Sequence, residues 1–158
     1  MAAERFEFKL LGPLEVSSGG YVVPVRAAKQ RVVLASLLVE APRVVTVDQL
    51  IARLWNSHVP DGALGTLRSY VMRLRHALGT TAVTGPIMTC AEGYYVDLSG
   101  HDLDLHRFEA LVSQARTATA EARMDRALAL LFDALRWKMI PTYGQLARTA
   151  PMDCLQGR

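Results

Sequence analysis

The sequence lacks several features that would assign it to a particular class of protein. It has two cysteines in 158 residues, Cys90 and Cys154. That is too few for the disulfide framework of a small secreted domain and favours a reduced, cytoplasmic setting. No run of 18 apolar residues occurs, so the sequence predicts no membrane span. The N-terminal stretch MAAERFEF has no apolar core of the kind that a signal peptide needs.

The motifs of common enzyme classes are also missing. There is no glycine-rich phosphate loop, no nucleophile elbow and no Cys-x-x-Cys pair. The nearest approach to a metal site is HDLDLHRF, but His101 and His106 are five residues apart and do not share a helix face. Asp104 suits a helix N-cap and Asp102 a turn. We therefore expect no enzyme activity, no metal and no cofactor.

Acidic residues are scarce in the middle of the chain. The net charge is only +3, but Arg26 to Leu78 holds eight basic residues against three acidic ones. That segment is therefore +5 and the remainder −2. With 51% hydrophobic and 21% charged residues, the chain should fold into a packed core. A basic block within a near-neutral folded chain indicates a contact region for a polyanion.

The stretch Gly62 to Leu78 contains no acidic residue at all. At 100° per residue, its apolar side chains form one narrow stripe, which consists of Leu64, Leu67, Val71, Leu74 and Leu78. The remaining sides carry mainly polar residues: Gly65, Thr66, Arg68, Ser69, Met72, Arg73, Arg75 and His76. Asp61 is placed to be the N-cap, and Gly79 to follow the helix. This face is either a solvated surface or a face for the major groove of DNA.

The elements around this helix predict an α+β winged helix-turn-helix. Alternating or apolar runs predict three N-terminal strands, two helices before the basic one, and a hairpin after it. In order, these are strands at Phe6–Leu10, Leu14–Val16 and Tyr21–Val25, a helix at Arg26–Val39, a helix capped by Thr46 and Gln49, and strands at Ile87–Thr89 and Tyr94–Leu98. A hairpin directly behind a recognition helix is the position of a wing. We expect this domain to occupy residues 1–98.

A second, helical region follows. Leu105, Phe108, Leu111 and Val112 have helical spacing, as do Ala127, Leu128, Leu131 and Leu135. Residues 99–136 therefore predict an α-helical hairpin, as at the start of a helical repeat domain. Pro141, Gly144 and Pro151 interrupt the pattern from Trp137 onward, so residues 137–158 predict a mobile tail.

Five segments together resemble the actinobacterial antibiotic regulatory proteins of the SARP and AfsR type. They are FKLLGPLEV, AKQRVVLASLLVEAPRVVTVDQLIARLW, LRSYVMRLRHALG, EGYYVDL and LDLHRFEALV, in that order. The resemblance covers about residues 5–136. It implies an OmpR-type winged helix followed by a bacterial transcriptional activation domain, of which this chain carries only the beginning.

The resemblance implies a transcriptional activator that binds direct repeats in promoters of secondary-metabolite genes. Two copies would lie head to tail on the DNA and recruit RNA polymerase. The DNA-binding residues would be Thr66, Arg68, Ser69, Tyr70, Met72, Arg73, Arg75 and His76. The loop before the recognition helix would face the sigma subunit of the polymerase through Trp55, Asn56, Ser57, His58 and Asp61.

Two departures from the family pattern leave an alternative open. The wing tip reads Cys90-Ala91-Glu92-Gly93, without the arginine that OmpR-type wings often insert into the minor groove. The segment after the second activation-domain helix reads RWKMIP, where the family has a Trp-Arg-Gly-Pro-like segment. A winged helix that binds a partner protein, or a truncated regulator that modulates one, is the rival interpretation.

Overall fold

A computed structural model describes residues 5–81 and 83–149, with side chains through residue 136. The strands are β1 Phe6–Lys9, β2 Glu15–Ser18, β3 Tyr21–Val23, β4 Val45–Thr46, β5 Ile87–Thr89, β6 Gly93–Val96 and β7 Asp102–Leu103. The helices are α1 Ala28–Glu40, α2 Val47–Trp55, α3 Ala63–Ala77, α4 Asp104–Ala120 and α5 Met124–Thr149. No helix in the described part of the chain is long and apolar enough to cross a membrane.

The chain divides into two compact units. The first holds the chain up to Leu10 and then Leu14–Leu103, and the second holds Leu11–Pro13 and the chain from Asp104 onward. The predicted boundary at Leu98 lies inside the first unit, because β7 pairs in parallel with β1 and extends that unit to Leu103. Neither β7 nor β4 is predicted from the sequence, since a strand of two residues is too short to show an alternating pattern.

Two small sheets flank the three helices of the first unit. The N-terminal sheet has the strand order β3-β2-β1-β7, and the second sheet has the order β4-β6-β5. The predicted hairpin wing is β5 and β6, with Thr89 opposite Tyr94. This is the winged helix-turn-helix that the sequence predicts, with a helical segment after it.

Helix α1 is the centre of the first unit, where it contacts α2, α3, β4 and β6. Its side chains Leu34, Leu37 and Leu38 are completely buried. Val32 and Val39 of the same helix stay 39% and 53% exposed, so α1 is not buried on every side. The N-terminus of α2 confirms the predicted capping box. Thr46 Oγ1 accepts from the Gln49 amide, and Gln49 Oε1 accepts from the Thr46 amide.

The ends of α3 agree only partly with the sequence. The predicted N-cap, Asp61, is wrong: the N-cap is Gly62, which has φ +76° and no side-chain cap. The Ala63 amide donates to the Pro60 carbonyl and closes this turn. The turn has a positive φ at Gly62, a conformation that glycine adopts without a steric cost. The predicted end is confirmed, since Gly79 has φ +65° and its amide donates to the His76 carbonyl.

The apolar stripe of α3 is buried except at its start. Leu67, Val71, Leu74 and Leu78 are at most 2% exposed. Leu64, which the helical wheel puts on the same stripe, is 40% exposed instead. It lies in the first turn beside an exposed loop, and the neighbouring Ala63 takes the buried position there.

The second unit is the predicted helical hairpin of α4 and α5, but alanines are the buried apolar side chains in its described part. Ala115 and Ala118 of α4, with Ala127 and Ala134 of α5, are at most 4% exposed. Such small side chains allow two helices to approach closely. The leucines that the spacing predicts as core in α5 are instead half exposed, at 54% for Leu128, 42% for Leu131 and 50% for Leu135.

The predicted mobile tail at residues 137–158 is wrong for residues 137–149, because α5 continues to Thr149. Pro141 and Gly144 both lie within this helix. Leucine, alanine, lysine, glutamine and methionine surround them, and these residues favour helix strongly. The part of the predicted mobile tail at residues 150–158 lies outside the described residues.

We predict that Leu74→Ala lowers the free energy of unfolding by about 2–5 kcal/mol. The side chain is fully buried on the α3 stripe, so its truncation leaves a cavity. Met72→Ala is the matched control, because Met72 is 64% exposed on the other side of the same helix. Urea unfolding of both variants gives the comparison. Equal midpoints for the two would mean that the rotation of α3 is wrong.

We predict that acid destabilises the first unit through His101. Its Nδ1 accepts from the Phe6 amide at 3.1 Å, and its ring lies 5.4 Å from the Phe6 ring. Burial lowers the pKa of His101 below its ordinary value, although the Asp97 carboxylate acts to raise it. The unfolded chain therefore takes up the proton first.

The His101 contribution to stability is complete above the ordinary histidine pKa of about 6.5 and is lost as the pH falls below it. Urea midpoints measured from pH 7.5 to 5 should decline in this window. His101→Asn keeps an acceptor but cannot titrate, so its decline should be shallower. Parallel curves for the two proteins would exclude His101 as the cause.

Candidate nucleic-acid interface

The exposed side of α3 is basic and free of carboxylates. Arg68, Met72, Arg73 and His76 are exposed along it, and Met72 keeps 64% of its surface accessible. In the sequence, no acidic residue occurs after Asp61 until Glu92. This side faces outward because the Leu67–Leu78 stripe is buried on the other. The predicted contact residues Arg68, Ser69, Met72 and Arg73 are therefore brought together on the outer side of α3.

The threonine and serine hydroxyl groups of this helix bond to their own backbone. Thr66 Oγ1 donates to the Gly62 carbonyl at 3.3 Å, and Ser69 Oγ donates to the Gly65 carbonyl at 3.0 Å. Both oxygens keep lone pairs that can accept a hydrogen bond. Because their hydroxyl protons are donated to the backbone, Thr66 and Ser69 are suited to accept a hydrogen bond from a base amino group or from water.

Most cations of the basic block, Arg26 to Leu78, bond to other groups of the same protein. Five of its eight cations bond to the first unit: Lys29 to the Leu54 carbonyl, Arg31 to the Val25 carbonyl, Arg43 to Glu40, Arg53 to Glu40 and the Ser36 carbonyl, and Arg75 to β5. Arg26, Arg68 and Arg73 make no hydrogen bond or ion pair within the described residues. Two of these three free cations are on α3, so this helix is where the block remains available to a ligand.

Arg75 holds the wing against α3. Its Nε and Nη2 donate to the Ile87 carbonyl at 3.1 and 2.9 Å, and Nη2 donates to Thr89 Oγ1 at 2.8 Å. Burial lowers the pKa of Arg75, and nearby Tyr94 acts to raise it. An arginine remains protonated in either case. The sequence predicts Arg75 as a DNA contact, and nothing in the local pattern indicates a partner twelve residues away.

An open groove of about 470 Å³ lies beside the second half of α3. Its lining is Arg68, Val71, Met72, Arg75, His76, Thr80, Thr81 and Tyr94. Cationic and hydroxyl groups therefore line this concave surface together with the apolar side chains of Val71 and Met72. Such a surface suits a sugar-phosphate strand better than a compact apolar ligand.

The turn of the wing is fastened to the start of α2. The Cys90 amide donates to the Gly93 carbonyl at 3.0 Å, and the Val47 amide donates to the Glu92 carbonyl at 3.2 Å. Gly93 lies so close to β4 that an added Cβ would overlap the carbonyl oxygen of Val45. Since Gly93 has no positive φ, the need here is space. The wing therefore depends on a glycine that sequence reasoning treated only as part of a turn.

Trp55 and Tyr70 join the helices before the loop rather than project from them. Their rings stack with centroids 6.4 Å apart, and Lys29 Nζ lies 4.6 Å from the centre of the Trp55 ring. Both aromatic side chains are half-buried, whereas residues 56–62 are all exposed. Among the residues predicted to contact the polymerase, Asn56, Ser57, His58 and Asp61 are thus accessible, and Trp55 anchors the loop.

Comparisons with known proteins agree with this architecture. Residues 25–95 match the family described as "Transcriptional regulatory protein, C terminal". The chain is 38% identical to the transcriptional regulatory protein EmbR of Mycobacterium tuberculosis over 138 residues, which are 85% of this chain and 36% of EmbR. It is 33% identical to the regulatory protein DnrI of Streptomyces peucetius over 137 residues, 82% of this chain and 50% of DnrI.

A solved structure of Mycobacterium tuberculosis EmbR, in complex with a low-affinity phosphopeptide, shares the fold. Its TM-score is 0.76 at 34% identity, over 92% of this chain and 40% of that one. The chain thus spans between about a third and a half of the length of EmbR and DnrI. The match covers α1, α2, α3 and the wing, which are the elements that build the basic surface.

We predict that Gly93→Ala lowers the free energy of unfolding by about 1–3 kcal/mol, because the new methyl group overlaps backbone atoms of β4 that cannot move away easily. Gly65→Ala in α3 is the matched control. A Cβ at Gly65 meets nothing within 4 Å, so alanine there should stabilise the helix by about 0.5–1 kcal/mol. Thermal melting of both variants measures the difference. A stable Gly93→Ala protein would show that the β4–β6 approach is looser than described.

Proposed function

Because this chain belongs to the SARP family of transcriptional regulators and has their OmpR-type domain, we propose that it binds double-stranded DNA sequence-specifically. We further propose that it activates genes of secondary metabolism. One observation supports this above the others. The exposed face of α3 holds two arginines without an internal partner among the described residues, and no carboxylate occurs on the helix. A helix with this face fits the major groove, which is about 12 Å wide.

The exposed side chains suggest a division of roles on the DNA. Arg73 lies opposite the buried Leu74 stripe in the helix and has the fork geometry for the O6 and N7 atoms of guanine. Met72 beside it suits a thymine methyl group. Arg68 and His76 line the groove next to the wing and are suited to phosphates. Thr66 and Ser69 complete the set as acceptors.

The partners of the activator follow from the same surfaces. We expect two copies to lie head to tail on a direct repeat, as the resemblance to the SARP family implies. The exposed loop of residues 56–62 is the proposed contact for RNA polymerase. Trp55 and Tyr70 support that loop by stacking, so we assign them no direct contact with polymerase or DNA.

A winged helix that binds a protein is the second candidate, favoured by apolar exposure near the loop. Val59 is 52% exposed and Leu64 is 40% exposed. The salt dependence of the affinity for the partner distinguishes the two functions. DNA binding that neutralises several phosphates weakens steeply with salt, with a slope of about −0.9 per phosphate in a logarithmic plot. A contact between apolar surfaces would show little change over the same range.

We predict that Arg73→Ala weakens binding to a selected duplex by about 1–3 kcal/mol and weakens binding to a scrambled duplex less. The duplex would come from selection in a random-sequence pool, and fluorescence anisotropy would give both affinities. Arg43→Ala is the control with the same change in charge, since Arg43 pairs with Glu40 in the turn after α1. Equal losses in both variants would make the effect one of net charge and remove Arg73 from the base contacts.

A further inference from the structure

Arg75 makes three hydrogen bonds to one short strand. The Ile87 carbonyl accepts from Nε and Nη2, and the Thr89 hydroxyl accepts from Nη2. Two of the three guanidinium nitrogens are therefore directed at β5. The side chain is half-buried, whereas Arg68, seven residues earlier and on the same side of α3, is exposed. These two arginines of one helix have different surroundings and need not have the same role.

Besides Arg75, the strand is held by its pairing with β6 and by the buried side chain of Ile87. β5 is the edge strand of its sheet and pairs only with β6. Its connection to α3 is a turn and loop, in which Thr80, Thr81 and Thr84 bond mainly to each other or to the end of α3. Ile87 is buried and Thr89 is exposed. Among the described contacts, the Arg75 guanidinium is the polar link that fixes the distance from α3 to the outer strand of the wing.

We propose that Arg75 is a positioning residue, which sets the spacing between the recognition helix and the wing and acts on DNA through β5, while Arg68 contacts the DNA backbone directly. This inference rests on the proposed function. A phosphate strand between α3 and the wing needs a gap of constant width, and Arg75 supplies the polar contact across it, in addition to the buried Ile87 and the pairing of β5 with β6. Loss of Arg75 then weakens DNA binding without the removal of a phosphate contact.

The chemistry of the two side chains distinguishes the roles. Lysine replaces arginine well as a point charge on a phosphate. It cannot reproduce the planar fork that reaches a carbonyl and a hydroxyl together. Arg75→Lys should therefore bind about tenfold more weakly, as expected for the loss of a charge-assisted bond. Arg68→Lys should weaken binding less than Arg75→Lys, because its charge on the phosphate is kept.

A double-variant cycle adds a test that leaves the charge unchanged. Thr89→Val removes one partner of Arg75 and keeps the branched shape of the side chain. Alone it should weaken binding about threefold, the effect of one hydrogen bond. Combined with Arg75→Lys it should add almost nothing, because both changes break the same link. Independent, multiplying losses would overturn the proposal and return Arg75 to the direct contacts. An affinity of Arg75→Lys equal to that of the unchanged protein would also overturn the proposal.

Hydrogen exchange without DNA separates this inference from the proposed function. In Arg75→Lys, the amides of residues 87–89 should lose protection relative to those of α3, while the melting temperature shows that the unit remains folded. Unchanged protection of β5 would overturn the positioning role whether or not the protein binds DNA. If the unchanged protein bound no duplex but β5 loosened as described, the proposed function would fail and the link from Arg75 to the wing would stand.

Discussion

Burial of the α3 stripe is the interaction on which the rest of the first unit depends. Leu67, Val71 and Leu74 are at most 1% exposed, and their removal from water fixes the rotation of the helix about its axis. The opposite side must then face outward with whatever residues the sequence places there. In this chain those residues include Arg68 and Arg73, so the hydrophobic core determines which cations are presented.

The surface charge cannot be read from the composition of the basic block. Arg53 reaches back to Glu40 and the Ser36 carbonyl of α1, and Lys29 reaches forward to the end of α2. These cations connect helices, and their donors are occupied. The free positive charge is consequently concentrated on α3, although the +5 segment extends from Arg26 to Leu78. A small net charge is thus compatible with a local anion-binding surface.

Local sequence rules predict much of what local forces decide, although the N-cap of α3 is Gly62 and not Asp61. The capping box at Thr46, the glycine at residue 79 and the period of α3 all depend on neighbours within a few residues. The remaining features depend on contacts between distant segments. The approach of Gly93 to Val45 and the bonds from Arg75 to β5 join residues at least twelve apart. No periodicity reports such pairs, so the helical wheel and the family resemblance predict Arg75 as a DNA contact and do not indicate its bonds to β5.

The loop before α3 is fixed at both ends. Trp55 stacks on Tyr70 at its start, and at its end the buried Ala63 donates its amide to the Pro60 carbonyl. The side chains between these points are exposed, but their origin is tied to the same helix that presents Arg68 and Arg73. Because Tyr70 belongs to α3, a helix seated in a groove would also set where the loop projects. The stacked pair therefore gives the proposed polymerase contact a defined position relative to the proposed DNA contact.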